Sequence, residues 1–319
     1  MARRENLHIN ELEVDNLIGD GGAGVRNWRK KIYLNGALGS DGNDGLAFDR
    51  PLKTLTTADD KITTGYGDVI VLEESTSSIS LSSAYTWSYN LCGLVGTSAN
   101  RFNQRARIGM STTFTPMITV SGYGNKFANI YTMHGTAAGD YVGWLISGAR
   151  NAFINVHFGG PMNADQGGHA SYNGVNITGS ENYFKDCVFG TSTISRDELT
   201  PNVTLGAGTY TVFENCIFTM FIADTDPYFI AVANTSGNTQ AYFKNCLFYA
   251  MSENHSVTAA VAFTFSGGST AAMILDSGCS FCNVSHLAAS ASMKYIFAPT
   301  VFAATVDELN LIAINSATY

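Results

Sequence analysis

The sequence is short of charge, of proline and of long apolar runs. Charged residues make up 14% of the 319, and there are six prolines. Helices usually carry many Glu, Lys and Arg on their wet faces, so this poverty of charge argues against a helical protein. No apolar run approaches the ~18–20 residues that cross a bilayer, and no membrane partner is expected. The body also lacks positive charge: of 18 Lys and Arg, nine lie in residues 1–61 and six after Arg107. With a net charge of −8, this excludes a general nucleic-acid binder. A secretory leader is not expected, because Met-Ala-Arg-Arg is followed by Glu5, His8, Glu11, Glu13 and Asp15 rather than by an apolar core.

Metal-binding patterns are missing as well. His8, His134, His157, His169, His255 and His286 show no ligand spacing, and His157 reads as an outward, surface position. Cys279 and Cys282 form a lone C-x-x-C, and in a strand residues i and i+3 point to opposite faces. No metal and no cofactor are expected.

What is present is turn-forming and repetitive. Apolar residues reach 45%, with 32 glycines. Six segments align: Phe127-Ala-Asn129, Phe153-Ile-Asn155, Phe184-Lys-Asp186, Phe213-Glu-Asn215, Phe243-Lys-Asn245 and a looser Ile274 to Phe281. The five phenylalanines are spaced by 26, 31, 29 and 30 residues. Each segment follows a short apolar strand and a glycine turn, as in Thr119-Val-Ser-Gly122 and Leu145-Ile-Ser-Gly148. A period of this size is the mark of a solenoid.

The leucine pattern of a horseshoe repeat is absent, so the fold class is all-β: a single-stranded parallel β-helix of about thirty residues per coil. Like residues on successive coils would then stack in ladders. The core ladders are Phe127, Phe153, Phe184, Phe213 and Phe243, beside Cys187, Cys216, Cys246 and Cys279 as buried free thiols. The Asn/Asp positions suit a bend, since Asn tolerates left-handed backbone and can bond the next coil. Met162–Tyr172, Ser192–Pro201 and Ile222–Tyr228 read as excursions from the wall.

Upstream the pattern changes. Lys30-Lys31-Ile-Tyr-Leu34 reads as a strand, Gly39-Ser-Asp-Gly-Asn-Asp-Gly45 as a loop, and Pro51 to Ile62 as a short helix presenting Leu52, Leu55, Ala58 and Ile62. Asp68–Glu73, Ser78–Leu81 and Asn90–Gly96 follow as three strands of one coil. This entry segment resembles that of the pectin-lyase-like right-handed β-helices of tailed bacteriophages, found in tailspikes and other virion proteins. The resemblance covers roughly residues 31–300 and specifies architecture better than activity. It implies a helix that caps the open end of the solenoid. The 39–45 loop also looks like a calcium loop, but it lacks the later bidentate Glu, and a structural turn is favoured.

The expected organisation is an arm at 1–28, a strand, loop and capping helix at 29–66, the β-helix at 67–300 and a closing segment at 301–319. Arg3, Arg4, Leu7, Ile9, Leu12, Val14, Leu17 and Ile18 are the candidate assembly residues of the arm. No catalytic residue is expected. The body cations are spread one per coil, and Lys185, Glu214 and Lys244 form an outward stripe of alternating sign. The pairs Asp197/Glu198 and Asp224/Asp226 lie in polar excursions. The functional expectation is a non-enzymatic structural protein of a phage particle, made in the host cytoplasm. It would be a capsid decoration or peripheral tail component, homotrimeric, anchored by its arm to other virion proteins. The alternative is a tailspike-type enzyme or adhesin acting on host surface glycan.

Overall fold

The computed structural model describes residues 28–98, 101–102, 104–135, 139, 141–164, 169–233, 238–253, 256–266, 270–289, 296–298, 305–306 and 311–313. The candidate arm residues Arg3 to Ile18 lie outside them. The chain winds as a right-handed parallel β-helix whose coils stack three sheets, of ten, eleven and seven strands. Each coil runs through the first, second and third sheet in turn. The coil that begins at Lys126–Ala128 continues as Tyr131–Met133 and Val142–Ile146, then returns to the first sheet as Ala152–Ile154.

Backbone pairing sets the spacing of the coils, and side chains of alternate parity follow it inward. Phe127, Phe153, Phe184, Phe213 and Phe243 are in register on the first sheet and are all buried. Their rings stack at 4.9, 4.7, 5.0 and 4.9 Å. The second sheet contributes another stack, Phe158, Phe189, Phe218, Phe248 and Phe281, at 4.9, 4.8, 4.6 and 4.6 Å. The two columns meet edge to face, as Phe213 does with Phe218 at 5.5 Å. Offset-stacked and edge-on contacts are the arrangements that ring quadrupoles favour. Parallel strands repeat every ~4.7–4.9 Å, so one spacing satisfies backbone and rings together.

The bend between first and second sheet is a polar ladder. Asn129, Asn155, Asp186, Asn215 and Asn245 hold φ between 51° and 56°. The Asn155 amide donates to Asn129 Oδ1 at 2.9 Å, and that of Asn245 to Asn215 Oδ1 at 2.8 Å. Just past each bend a thiol is turned inward. Cys187, Cys216, Cys246 and Cys279 are free and buried, and each donates to the carbonyl of the phenylalanine one coil back, at 3.3–3.5 Å. Burial raises the Cys216 pKa well above the ordinary thiol value, which makes it inert.

The corner between third and first sheet is tighter. A Cβ at Gly148 would stand 1.9 Å from the Gly122 carbonyl oxygen, and one at Gly179 would stand 1.9 Å from that of Gly148. Only glycine lets successive coils approach so closely. Beside this column Asn125, Asn151 and Asn182 form a second, fully buried amide ladder: Asn151 donates to the Gly122 carbonyl and Asn182 to that of Gly148, both at 3.0 Å.

The excursions all leave at the third corner, between second and third sheet. Beneath them runs a buried polar column. His134 is cradled by Gly143 and Gly160, which leave room for its ring. It stacks on Tyr172 at 5.6 Å, and the Arg196 guanidinium lies 4.8 Å over the other side of the column on the same tyrosine. Arg196 is 1% exposed and, among the described residues, meets no carboxylate; it donates to the Thr200 hydroxyl and carbonyl and to Asn202 Oδ1.

Three expectations are corrected. The strands proposed for one coil belong to two: Val69–Leu72 and Ile79–Leu81 share a coil, whereas Gly93–Gly96 opens the next. The missing third strand is Tyr85–Trp87, which lacks the glycine turn that follows its neighbour Ile118–Val120 and has both rings inward. His157 points outward but is 8% exposed, because Phe102 and Tyr131 cover it, the latter stacked at 4.4 Å; its Nε2 meets the Gly190 carbonyl at 3.1 Å. The helix is confined to Leu55–Asp59, with Thr54 as its N-cap; Leu52 instead bridges to Leu34. Leu52, Leu55, Ala58 and Ile62 all pack on the interior. At the far end Leu311–Ala313 pairs antiparallel with Ser280–Cys282 and with Thr305–Val306.

Replacing Phe213 by Ala opens a gap in a continuous stack and should cost roughly 3–5 kcal/mol in chemical denaturation. A cost below about 1 kcal/mol would contradict the stacked core. The two buried imidazoles predict acid lability. Burial lowers both pKa values to about 4 from 6.5, the Gly159 and Gly190 carbonyls opposing it weakly. Their contribution is therefore full above pH ~6.5 and is lost as pH falls toward about 4, at roughly 1.4 kcal/mol per pH unit for each ring. A His134→Gln, His157→Gln variant should show a flatter dependence of stability on pH between 6.5 and 4 than the parent.

Candidate functional site

The outer face of the first sheet changes character partway along the solenoid. Tyr33, Val71, Val95, Ala128 and Ile154 occupy one outward register column. The last four are buried, with Trp28 and Tyr33 packed against them, and the Trp28 ring lies directly over Gly93. The same column continues as Lys185, Glu214 and Lys244. The neighbouring outward column runs Tyr183, Val212, Tyr242, Ile274 and Phe297. Ile274 and Phe297 are exposed, as is Tyr210 one register step further on. From strand Asn182–Lys185 onward the wall is thus a band of rings bordered by charges.

Within the band Glu214 is fixed from both sides. Tyr183 Oη donates to Glu214 Oε2 at 2.6 Å, and Lys244 Nζ donates to Oε1 at 3.2 Å. The Tyr183 hydroxyl first, then Lys244 and Lys185, hold the carboxyl below its ordinary range against partial burial. Burial and the Glu214 charge push the Tyr183 phenol up. Glu214 is therefore an ionised acceptor, and Tyr183 a donor that keeps its proton. At the edge of the band Asp186 of the bend ladder is paired with Arg101, which reaches over from the loop after Gly93–Gly96.

The alternating stripe Lys185, Glu214, Lys244 was legible because the repeat fixes its register. The Tyr183 bond and the reach of Arg101 were not: the residue before the repeat phenylalanine changes type from coil to coil, as in Tyr183 and Val212, and Arg101 stands in a loop outside the repeat. Asp197, Asp224 and Asp226 are exposed in the excursions, and Glu198 is half-buried there. Asp224 Oδ1 receives its own neighbour, the Thr225 hydroxyl, at 3.2 Å. The carboxylates of the 39–45 loop are engaged locally: Asp41 accepts from Lys53 N and Thr54 N at 3.0 and 2.9 Å, and Asp44 pairs with Arg50 at 2.8 Å. Among the described residues no three His, Cys, Asp or Glu side chains gather as a metal site. Tyr183→Phe removes the first support of Glu214, so the carboxyl pKa should rise toward its ordinary value; carbon-detected NMR titration of Glu214 would read it, and no rise would contradict the assigned geometry.

No family model and no curated protein match this sequence. Among solved structures, the chain is similar to pectate lyase Pel9A, at 12% identity and a TM-score of 0.47, over 81% of this chain and 79% of that one. It is similar also to pectin methylesterase PemA from Erwinia chrysanthemi, at 12% identity and 0.48, over 82% and 81%. A GH136 lacto-N-biosidase from Eubacterium ramulus aligns at 11% identity and 0.28, over 85% and 67%. These proteins are enzymes by name, and the expectation of a protein without enzymatic activity is withdrawn: a solenoid of this kind is no mark of a purely structural role.

Proposed function

We propose that this chain engages an extended polysaccharide along the outer wall of its first sheet, as a phage-particle protein acting on host surface glycan. The observation that carries the reading is the band of Tyr183, Tyr210, Tyr242, Ile274 and Phe297 beside Lys185, Glu214 and Lys244, repeated coil after coil. A sugar ring offers an apolar C–H face and a rim of hydroxyls. Flat tyrosine rings take the first, and a fixed carboxylate and ammonium groups take the second. The wall is held by the sheet beneath it, so little ordering is required on binding. An apolar and aromatic band on an otherwise polar surface also marks a contact site in general. The phage setting is supported by the resemblance of the entry segment at residues 31–62, and an anchoring role for residues 1–28 belongs to the same proposal.

Affinity electrophoresis against a panel of acidic and neutral bacterial surface polysaccharides tests the reading, with new reducing ends and unsaturated products measured alongside. At least one polysaccharide should retard the protein, and a Tyr183→Ala, Tyr242→Ala variant that melts normally should bind it at least tenfold more weakly, about 1.4 kcal/mol. Retention by none, or unchanged retention of the variant, would overturn the proposal.

A further inference from the structure

On the second sheet, away from the ring band, two guanidinium groups converge on one carbonyl oxygen. Arg107 opens the strand Arg107–Met110, and Arg105 precedes it by two residues across a bend at Ala106. Arg107 Nη2 donates to the Thr76 carbonyl at 3.0 Å, and Arg105 Nη2 approaches the same oxygen at 3.5 Å. Arg107 Nε is buried and has no partner. Among the described residues neither arginine has a carboxylate partner; Arg101 of the same loop is the one paired, with Asp186. Glu74, the nearest acid along the chain, pairs with neither. Burial first and the Arg105 charge second lower the Arg107 pKa, as expected for cations forced together.

The surroundings add donors and, among the described residues, no paired carboxylate. Arg107 is in register with Tyr131, half-buried, whose ring lies on His157. That imidazole is neutral at neutral pH and contributes no charge. Ser77 and Ser78 stand next to Thr76, exposed and half-buried respectively. Two guanidinium groups that share one carbonyl oxygen, with a further N–H left without an acceptor, hold more donors than that oxygen uses, and an oxyanion that accepts several hydrogen bonds and carries two charges matches the surplus.

We propose that Arg105 and Arg107, beside Thr76 and Tyr131, form a binding site for a dianionic phosphate group, free or as the monoester of a sugar. The site stands on a different sheet from the ring band and does not depend on the polysaccharide reading. Isothermal titration of the full chain with inorganic phosphate and with glucose 6-phosphate tests it, against potassium chloride at equal ionic strength to remove general screening. Saturable binding of at least one probe is expected, weakened at least tenfold in Arg105→Gln and in Arg107→Gln. Tighter binding of the sugar phosphate identifies a monoester as the source; equal binding identifies free phosphate. Arg105 is exposed, so its variant keeps the fold even where loss of Arg107 disturbs it, and thermal melts verify this. The Tyr183→Ala, Tyr242→Ala variant should bind phosphate as the parent does, which separates this site from the ring band. No saturation with either probe, or full binding by Arg105→Gln, would overturn the proposal.

Discussion

The structure depends on one coincidence of lengths. Parallel strands repeat at ~4.7–4.9 Å, and stacked aromatic rings sit well at nearly the same separation. Phe127 to Phe243 and Phe158 to Phe281 exploit it in two columns that touch edge to face. Once the columns exist, register is no longer free. A one-residue slip on any coil would turn a phenylalanine outward and leave a void between two rings. Length variation is therefore kept out of the strands: it collects at the corner where the excursions leave and, ahead of the Asn ladder, in the loop between Gly93–Gly96 and Arg107–Met110.

Corners make the stack possible because they resolve the polar groups that a sharp bend strands inside. Left-handed Asn129, Asn155, Asn215 and Asn245 hold the turn, and their amides bond along the ladder. The thiols just past the bend donate to the phenylalanine carbonyls one coil back, so the small apolar ladder is also a hydrogen-bonding one. At the opposite corner Gly122, Gly148 and Gly179 allow near contact of backbones while Asn151 and Asn182 satisfy their carbonyls. Every coil takes partners from its neighbour. The ends of the described solenoid are then covered by the Leu55–Asp59 helix at one side and by antiparallel Leu311–Ala313 at the other.

Both proposed sites lie on faces that the core does not use. Because alternate residues point outward, each outward column is a list of side chains one coil apart. The column from Tyr33 to Ile154 is apolar and packed beneath Trp28 and Tyr33, and its continuation through Lys185, Glu214 and Lys244 is charged. The same parity rule places Arg107, Tyr131 and His157 in one line on the second sheet. Both surfaces are rigid because the stacked rings behind them are.

The coil, the inward parity and the bends are legible in the sequence, because these recur with a fixed period and every copy reinforces the rest. Phe184-Lys-Asp186-Cys187 is readable beside Phe213-Glu-Asn215-Cys216, and the Lys185–Glu214–Lys244 stripe follows from that alignment alone. Tertiary structure decided what does not recur. Tyr85–Trp87 pairs in register with Ile118–Val120, but Tyr89 stands where that strand is followed by Gly122, so the glycine turn that marks the other coils is missing. His157 sits at an outward parity, but Phe102 from a non-repeating loop buries it. Arg196 reaches Tyr172 and Arg101 reaches Asp186 from segments whose lengths and shapes differ between coils. Contacts made by such segments depend on where a loop of particular length folds back over the wall, and a periodic pattern holds no information about that.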